Sequence, residues 1–326
     1  MSTQHQNINP HQALYQSKGA VISLQQLLIQ RFAAKTVEYL THNRSIAGIS
    51  GLHLSKLRGR GIDFEEFRLY QAGDDIRTID WRVTARTGKP HTKVFREERE
   101  RPVIIAVDQS SSMFFGSQIA FKSVVAAQAA AIFCWMAIDN GDRAGGLVYS
   151  DTHYSLVRPK RSRRSALHLL NQIYEFNQRL SQKNLNTTAE REQLGQTGLA
   201  TALGQIRRIT KPGSTLYIIS DFLSINDQGL QYLSQLSRHN NVVCCLVYDA
   251  LEENLPVPGF YSITDGRNKG TLNTFSREAR TNYHLGFERR INALQDELNK
   301  MQVPLIRLKT NQLVVEQLRL WTTQNL

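Results

Sequence analysis

A chain of 326 residues, 41% of them hydrophobic, has material for one large core or two smaller ones, which excludes a disordered or low-complexity polymer. With 40 Lys and Arg against 28 Asp and Glu the formal charge is +12, which suits an acidic protein, a nucleic acid or an anionic membrane face without choosing among them. The three cysteines, Cys134, Cys244 and Cys245, lie inside apolar runs, so buried, reduced thiols are expected and a disulfide scaffold is excluded.

The opening stretch, MSTQHQNINPHQ, has neither a basic nor an apolar segment of the secretory kind, so no signal peptide and a cytoplasmic location are expected. Residues 1–19 show no apolar period. Leu24, Leu27, Leu28, Phe32 and Val37 then roughly fit the stripe of a helix over residues 23–40. Residues 1–50 thus read as a polar tail and an N-terminal helix.

Residues 51–101 change character, with 12 Lys and Arg and 9 Asp and Glu and no long apolar run. Gly59 and Gly61 suggest one turn, Gly73 with Asp74 and Asp75 another, and residues 92–95 a short strand. Mixed charge of this kind commonly forms a solvated face with weak ion pairs. Trp81, Tyr70, Phe64 and Phe67 add enough aromatic mass to predict a structured satellite that packs onto a neighbouring domain.

From residue 102 strand and helix signals alternate. Residues 103–107 (VIIAV) are too short and too continuously apolar for an amphipathic helix and predict a buried parallel strand. An apolar helix over 118–138 follows. Its most apolar window, 123–138, is interrupted by Gln128, flanked by Lys122 and Asp139, and too short to span a bilayer, so it predicts a core helix with no membrane insertion. Strands are predicted at 144–149, 153–157, 214–220, 241–248 and 304–308, and helices at 161–176, 199–209, 227–239, 277–301 and 312–321. Residues 178–196 are expected to form a long Gln- and Asn-rich loop, and 252–275 turns and short strands. The alternation implies a doubly wound α/β domain over 102–326, a mostly parallel sheet with helices on both faces.

In such a sheet, ligands gather where strands end. The first strand ends in Asp108, followed by hydroxyls at Ser110 and Ser112; Asp221 ends the strand over 214–220, and Thr197 stands in the loop before the helix at 199–209. These side chains offer only oxygen, which suits Mg²⁺ or Mn²⁺ and suits Zn²⁺ poorly. Three neutral hydroxyls bound directly, with two carboxylates one shell back, would leave the ion short of negative charge and able to attract a carboxylate from elsewhere. Strand-end aspartates are also ordinary helix caps, and Thr201, expected inside the helix, is the rival to Thr197.

The set Asp108, Ser110, Ser112, Thr197 and Asp221 resembles the metal-ion-dependent adhesion site of von Willebrand factor type A domains, a resemblance that implies direct binding by the hydroxyls and water-mediated binding by the aspartates. The segment before it resembles the family catalogued as domain of unknown function 58. Its signature is matched by Gly59, Gly61, Phe64, Arg68, Tyr70, Gly73, Asp74, Asp75, Arg77, Ile79, Asp80, Trp81, Ala85 and Arg86. That resemblance implies action beside MoxR-type AAA+ ATPases, as an adaptor in protein assembly or cofactor insertion. The ATPase would be a separate chain, since no phosphate-binding loop of the Gly-x-x-x-x-Gly-Lys type is present.

The resulting expectation is a non-enzymatic module that captures an acidic residue of a protein partner through Mg²⁺ or Mn²⁺, with no small-molecule substrate. Two alternatives stand beside it: a metal-dependent hydrolase using the same ion, and a nucleic-acid binder working through the cations of residues 158–164 (RPKRSRR). The hydrolase needs a general base, and none is evident near these strand ends. The basic cluster lacks interleaved aromatics, which favours a solvated helix start or an acidic-protein contact over nucleic acid.

Overall fold

The computed structural model describes residues 17–37, 62–71, 75–97, 101–183, 198–264 and 269–325. The chain divides into two compact units, one made of Met1–Ser45 with Arg101–Leu326 and one of Ile46–Glu100. The N-terminal helix α1 (Leu24–Ala34) therefore belongs to the larger unit. Gly59, Gly61, Gly73 and Asp74 of the family signature lie outside the described residues.

In the smaller unit β1 (Ile62–Leu69) pairs antiparallel with β2 (His91–Glu97). Sequence periodicity predicts β2 and misses β1. The apolar residues of β1 fall at 62 and 64 and then at 67 and 69, a phase slip that breaks strict alternation. The backbone accounts for it with a bulge between Phe64 and Glu66. A second unpredicted element is helix α2 (Trp81–Thr87), capped by Asp80, whose Oδ1 accepts from the Arg82 and Val83 amides at 2.9 and 3.1 Å. The helix stops at Gly88, where φ of +70° needs a residue without Cβ. Ile79 bridges to Thr92 and the Asp80 amide donates to the His91 carbonyl, so Ile-Asp-Trp is the hinge between a strand contact and a helix start.

In the larger unit, β3 (Pro102–Asp108), β4 (Arg143–Tyr149), β5 (Tyr154–Lys160), β6 (Thr215–Ser220), β7 (Asn241–Tyr248) and β10 (Leu305–Lys309) form one sheet in the order β10-β7-β6-β3-β4-β5. All neighbours are parallel except β4 and β5. A separate hairpin, β8 (Phe260–Thr264) and β9 (Lys269–Asn273), stands between β7 and β10 in the chain. The sheet is doubly wound as expected. The chain builds outward from β3 through β4 and β5, then returns to β3's other side for β6, so the strand order reverses between β3 and β6.

Helices cover both faces. Val103, Ile105 and Val107 of β3 join the core formed with α1, α3 (Lys122–Asp139), α4 (Arg163–Lys183) and α9 (Val314–Asn325), whereas Ile104 and Ala106 join that of α5 (Leu199–Ile209), α6 (Asp227–Ser237) and α8 (Arg277–Lys300). Cys244 and Cys245 separate onto these two faces as period 2 demands, and all three thiols are free and buried. Contrary to the expectation that this stretch is too short, helix α3 with its 18 residues is long and apolar enough to cross a bilayer, and 89% of it is buried inside the unit. Helix α1 is tied to this layer: the Trp135 indole donates to the Leu27 carbonyl at 3.3 Å and the Ile22 amide to Asn177 Oδ1 at 2.9 Å. One correction falls at residues 178–183, expected in a loop but forming the last turns of α4, with Leu180 buried.

Close packing at the centre rests on two glycines of β4. Gly145 sits in the β4–β5 bulge, and a Cβ on Gly146 would meet the Ile105 carbonyl oxygen at 2.2 Å, in the backbone of the neighbouring strand. Gly146→Ala is therefore expected to cost at least about 3 kcal/mol, the upper range for overpacking, because no rotamer can relieve the clash. Chemical denaturation should show the loss as a lower midpoint.

Candidate metal centre

The sheet reverses between β3 and β6, the place where doubly wound folds form a crevice for ligands, and the chain puts acids and hydroxyls at the carboxyl ends of these strands. Asp108 ends β3 with no exposed surface. Its Oδ1 accepts from the Ser110 amide at 2.9 Å, and its Oδ2 accepts from Ser220 Oγ, on the last residue of β6, at 2.6 Å. Ser220 Oγ in turn accepts from the Phe222 amide at 3.1 Å. The loop after β3 makes a short 3₁₀ turn at Ser111–Met113 with Met113 buried beneath it, and this brings Ser110 Oγ to 3.2 Å from Ser112 Oγ. Asp221 follows Ser220; its Oδ1 accepts from the Leu223 amide at 3.0 Å and its Oδ2 from the ammonium of Lys122 at 2.8 Å. Phe222 adopts φ of +53°, unusual for a bulky residue and a sign of local strain, of order 1–3 kcal/mol, at the turn that presents Asp221.

The structure thus brings together four of the five candidates, Asp108, Ser110, Ser112 and Asp221. Thr197 lies outside the described residues, just before Gly198, the cap of α5. Its rival Thr201 is exposed within α5.

Charge is poorly balanced here. Burial, and then the negative charge of Asp221, push the Asp108 carboxyl up to about 6 against the pull of its hydrogen bonds from Ser110 and Ser220. Burial and the charge of Asp108 hold the Tyr149 phenol well above its ordinary value, so a neutral ring backs the carboxylate. For Lys122 burial lowers the pKa, but Asp221 and Glu252 outweigh it and hold the ammonium above its usual range.

Several residues of this cluster escape the sequence reading. Asp151, just past β4, accepts from the amide and hydroxyl of Ser111 at 3.0 and 3.3 Å. Asp249, just past β7, is buried and accepts from Ser117, Thr310 and the Leu251 amide; burial raises its pKa, yet these bonds together hold it below the ordinary carboxylate value. The strand-end rule that selects Asp221 selects both of these acids equally well. Ser220 was visible only as Asp221's neighbour. Lys122 reads in sequence as a solvated flank of an apolar helix, and no local signal marks it as buried.

The donor set fits a hard cation. Among the described residues no three His, Cys, Asp or Glu side chains converge in the manner of a conventional metal cluster, so the case rests on hydroxyls. Adjacent ligands of an octahedral Mg²⁺ at ~2.1 Å lie ~3 Å apart, close to the separation of Ser110 Oγ and Ser112 Oγ, and the Asp108 carboxylate holds the Ser110 amide of the same loop. The basic cluster lies elsewhere. Strand β5 is antiparallel, so Lys160 pairs with Ala144 at the start of β4, whereas Asp108 pairs with Tyr149 at its end.

Uncharacterized proteins of Mycobacterium tuberculosis and Mycobacterium bovis are 32% identical over 248 residues, covering 75% of this chain and 73% of theirs. Among solved structures, the conserved hypothetical protein BatB of Bacteroides thetaiotaomicron matches with a TM-score of 0.38 at 14% identity, covering 69% of this chain and 98% of that one. A von Willebrand factor type A protein of Catenulispora acidiphila matches with a TM-score of 0.30 at 18% identity, over 48% and 35% of the two chains. The model of the family described as protein of unknown function DUF58 matches residues 66–292, well over half of the sequence, and the chain belongs to that family.

Proposed function

We propose that the protein is a non-enzymatic binding module that captures an acidic side chain of a protein partner through a divalent ion at Ser110, Ser112 and Thr197. The observation that carries this reading is the pair of hydroxyls 3.2 Å apart in the loop whose Ser110 amide is held by the buried Asp108, itself under the charge of Asp221. Mg²⁺ or Mn²⁺, when bound, would supply a Lewis-acidic docking point that lacks negative ligands and accepts a carboxylate from the partner. Asp108 orients the Ser110 amide and, through Ser220, ties the ends of β3 and β6 together, so the hydroxyls are aimed before any partner arrives. Thr197 is proposed as the third hydroxyl because helix α5 leads into the start of β6 and, like other crossover helices, runs back along the sheet.

Binding rather than hydrolysis is favoured because each acid at the crevice is engaged. Among the described residues, Asp108 is held by Ser110 and Ser220, Asp221 by Lys122 and Leu223, and Asp151 by Ser111, so each of these carboxylates has a positioning partner. The partner proposed is a protein presenting an exposed Asp or Glu, with a MoxR-type AAA+ ATPase or its client in the cytoplasm as the first to test.

Isothermal titration of the full chain with Mn²⁺ should show binding that Ser110→Ala weakens by at least about tenfold, and pull-down of a partner should fail in EDTA. Absence of Mn²⁺ binding by the wild type would overturn the reading.

A pH dependence follows from Asp108. A carboxyl raised in the folded state from 3.8 to about 6 keeps its proton on folding at low pH, so the contribution of Asp108 to ion-free stability is greatest below about pH 4. That contribution falls as pH rises toward 6 and levels off above it, by about 3 kcal/mol. In EDTA, Asp108→Asn should therefore melt several degrees above wild type at pH 8, with the gap closing near pH 4, while losing Mn²⁺ binding. Thermal melts across that range measure it.

A further inference from the structure

Lys122 opens α3, the helix behind the crevice, yet its side chain has no exposed surface. The position is unfavourable on two grounds. An ammonium buried from water carries a large desolvation cost, and a cation in the first turn of a helix opposes the helix dipole. The remainder of α3 packs with apolar side chains, so a Met or Leu in this place would serve the core at less cost. What holds the ammonium there is a pair of carboxylates, Asp221 Oδ2 at 2.8 Å and Glu252 Oε1 at 2.7 Å.

The two acids differ in what else they do. Asp221 raises the pKa of Asp108 by its charge, whereas Glu252 is partly exposed on α7 (Ala250–Glu253) and closes a capping box with Asp249. Lys122 thus bridges Asp221, whose charge bears on Asp108, and a second acid, Glu252. Whatever share of its charge Glu252 draws off is charge that Asp221 keeps for the site.

We propose that Lys122 is a built-in counter-cation that sets the affinity of the Ser110–Ser112 site for its divalent ion, by neutralising Asp221 and repelling the ion, with Glu252 tuning how strongly it does so. This rests on the ion-binding reading given above and extends it: with Asp221 neutralised, the ion is held weakly until a partner's carboxylate joins it. Ion retention and partner capture become one coupled event.

The geometry predicts opposite signs for two substitutions, which a merely structural ion pair would not give. Lys122→Met should tighten Mn²⁺ binding by at least about tenfold, since a unit charge close to the ion is removed. Glu252→Gln should weaken it several-fold, because Lys122 then bears wholly on Asp221. In a Lys122→Met background Glu252→Gln should change little, because its route to the site is gone. Isothermal titration of the full-length variants with Mn²⁺ reads all three, with Ser110→Ala as the control for the site. Wild-type binding that Lys122→Met leaves unchanged or weakens would overturn the role of Lys122 while leaving the ion site standing. Failure of wild type and both variants to bind Mn²⁺ would remove the ion site and this role together. If Lys122→Met does not fold, Glu252→Gln decides: weaker binding supports the proposal and unchanged binding overturns it.

Discussion

The crevice depends on one short hydrogen bond, from Ser220 Oγ to Asp108 Oδ2 at 2.6 Å. It joins the last residues of β3 and β6, the two strands between which the sheet order reverses. At that reversal the loops leaving the two strands diverge toward opposite faces, so backbone pairing no longer holds their ends in register. A buried carboxylate bonded across the gap does so instead, and it also accepts the Ser110 amide at 2.9 Å. The same residue thereby fixes the strand ends and the loop that carries both serine hydroxyls. The cost is a carboxyl buried beside a second acid, with too few donors to settle its charge.

Asp249 shows that this cost is particular to the crevice and not to strand-end aspartates. It too is buried, but Ser117 supplies an amide and a hydroxyl, Thr310 a hydroxyl and Leu251 an amide, and the carboxyl is held below its usual range. Donors come from the loop after β3, from α7 and from the turn after β10, so Asp249 works as a structural knot. Asp108 accepts from two residues and feels Asp221. Fold and loop type are shared; burial beside Asp221, with fewer donors to offset it, separates Asp108 from the satisfied Asp249.

Much of this could be read from residue order. The run at 103–107, the paired hydroxyls after Asp108 and the matching Asp221 are local patterns, and the doubly wound sheet places them together without further information. Residues 241–248, alternately buried on two faces, show the same correspondence, down to Cys244 and Cys245 in different cores. Elsewhere the signal was absent or broken. In β1 the bulge shifts the apolar phase by one residue, so no alternating window is long enough to register. Lys122 lies 99 residues from Asp221 and 130 from Glu252, and its burial is a property of the packed helix layer. A lysine beside an apolar run is nearly always a solvated flank, and only the tertiary fold distinguishes this one.

That distinction bears on how the crevice should be understood. A site built from neutral alcohols, one unsettled carboxylate and one neutralised by an internal ammonium carries less negative charge than its acids suggest. Magnesium sites made to retain their ion place carboxylates in the first shell. Here one of the two acids is engaged by a cation of the protein's own, which in the proposed site would suit an ion held provisionally. On the proposed reading the missing charge would come from outside the chain, from a carboxylate on another protein.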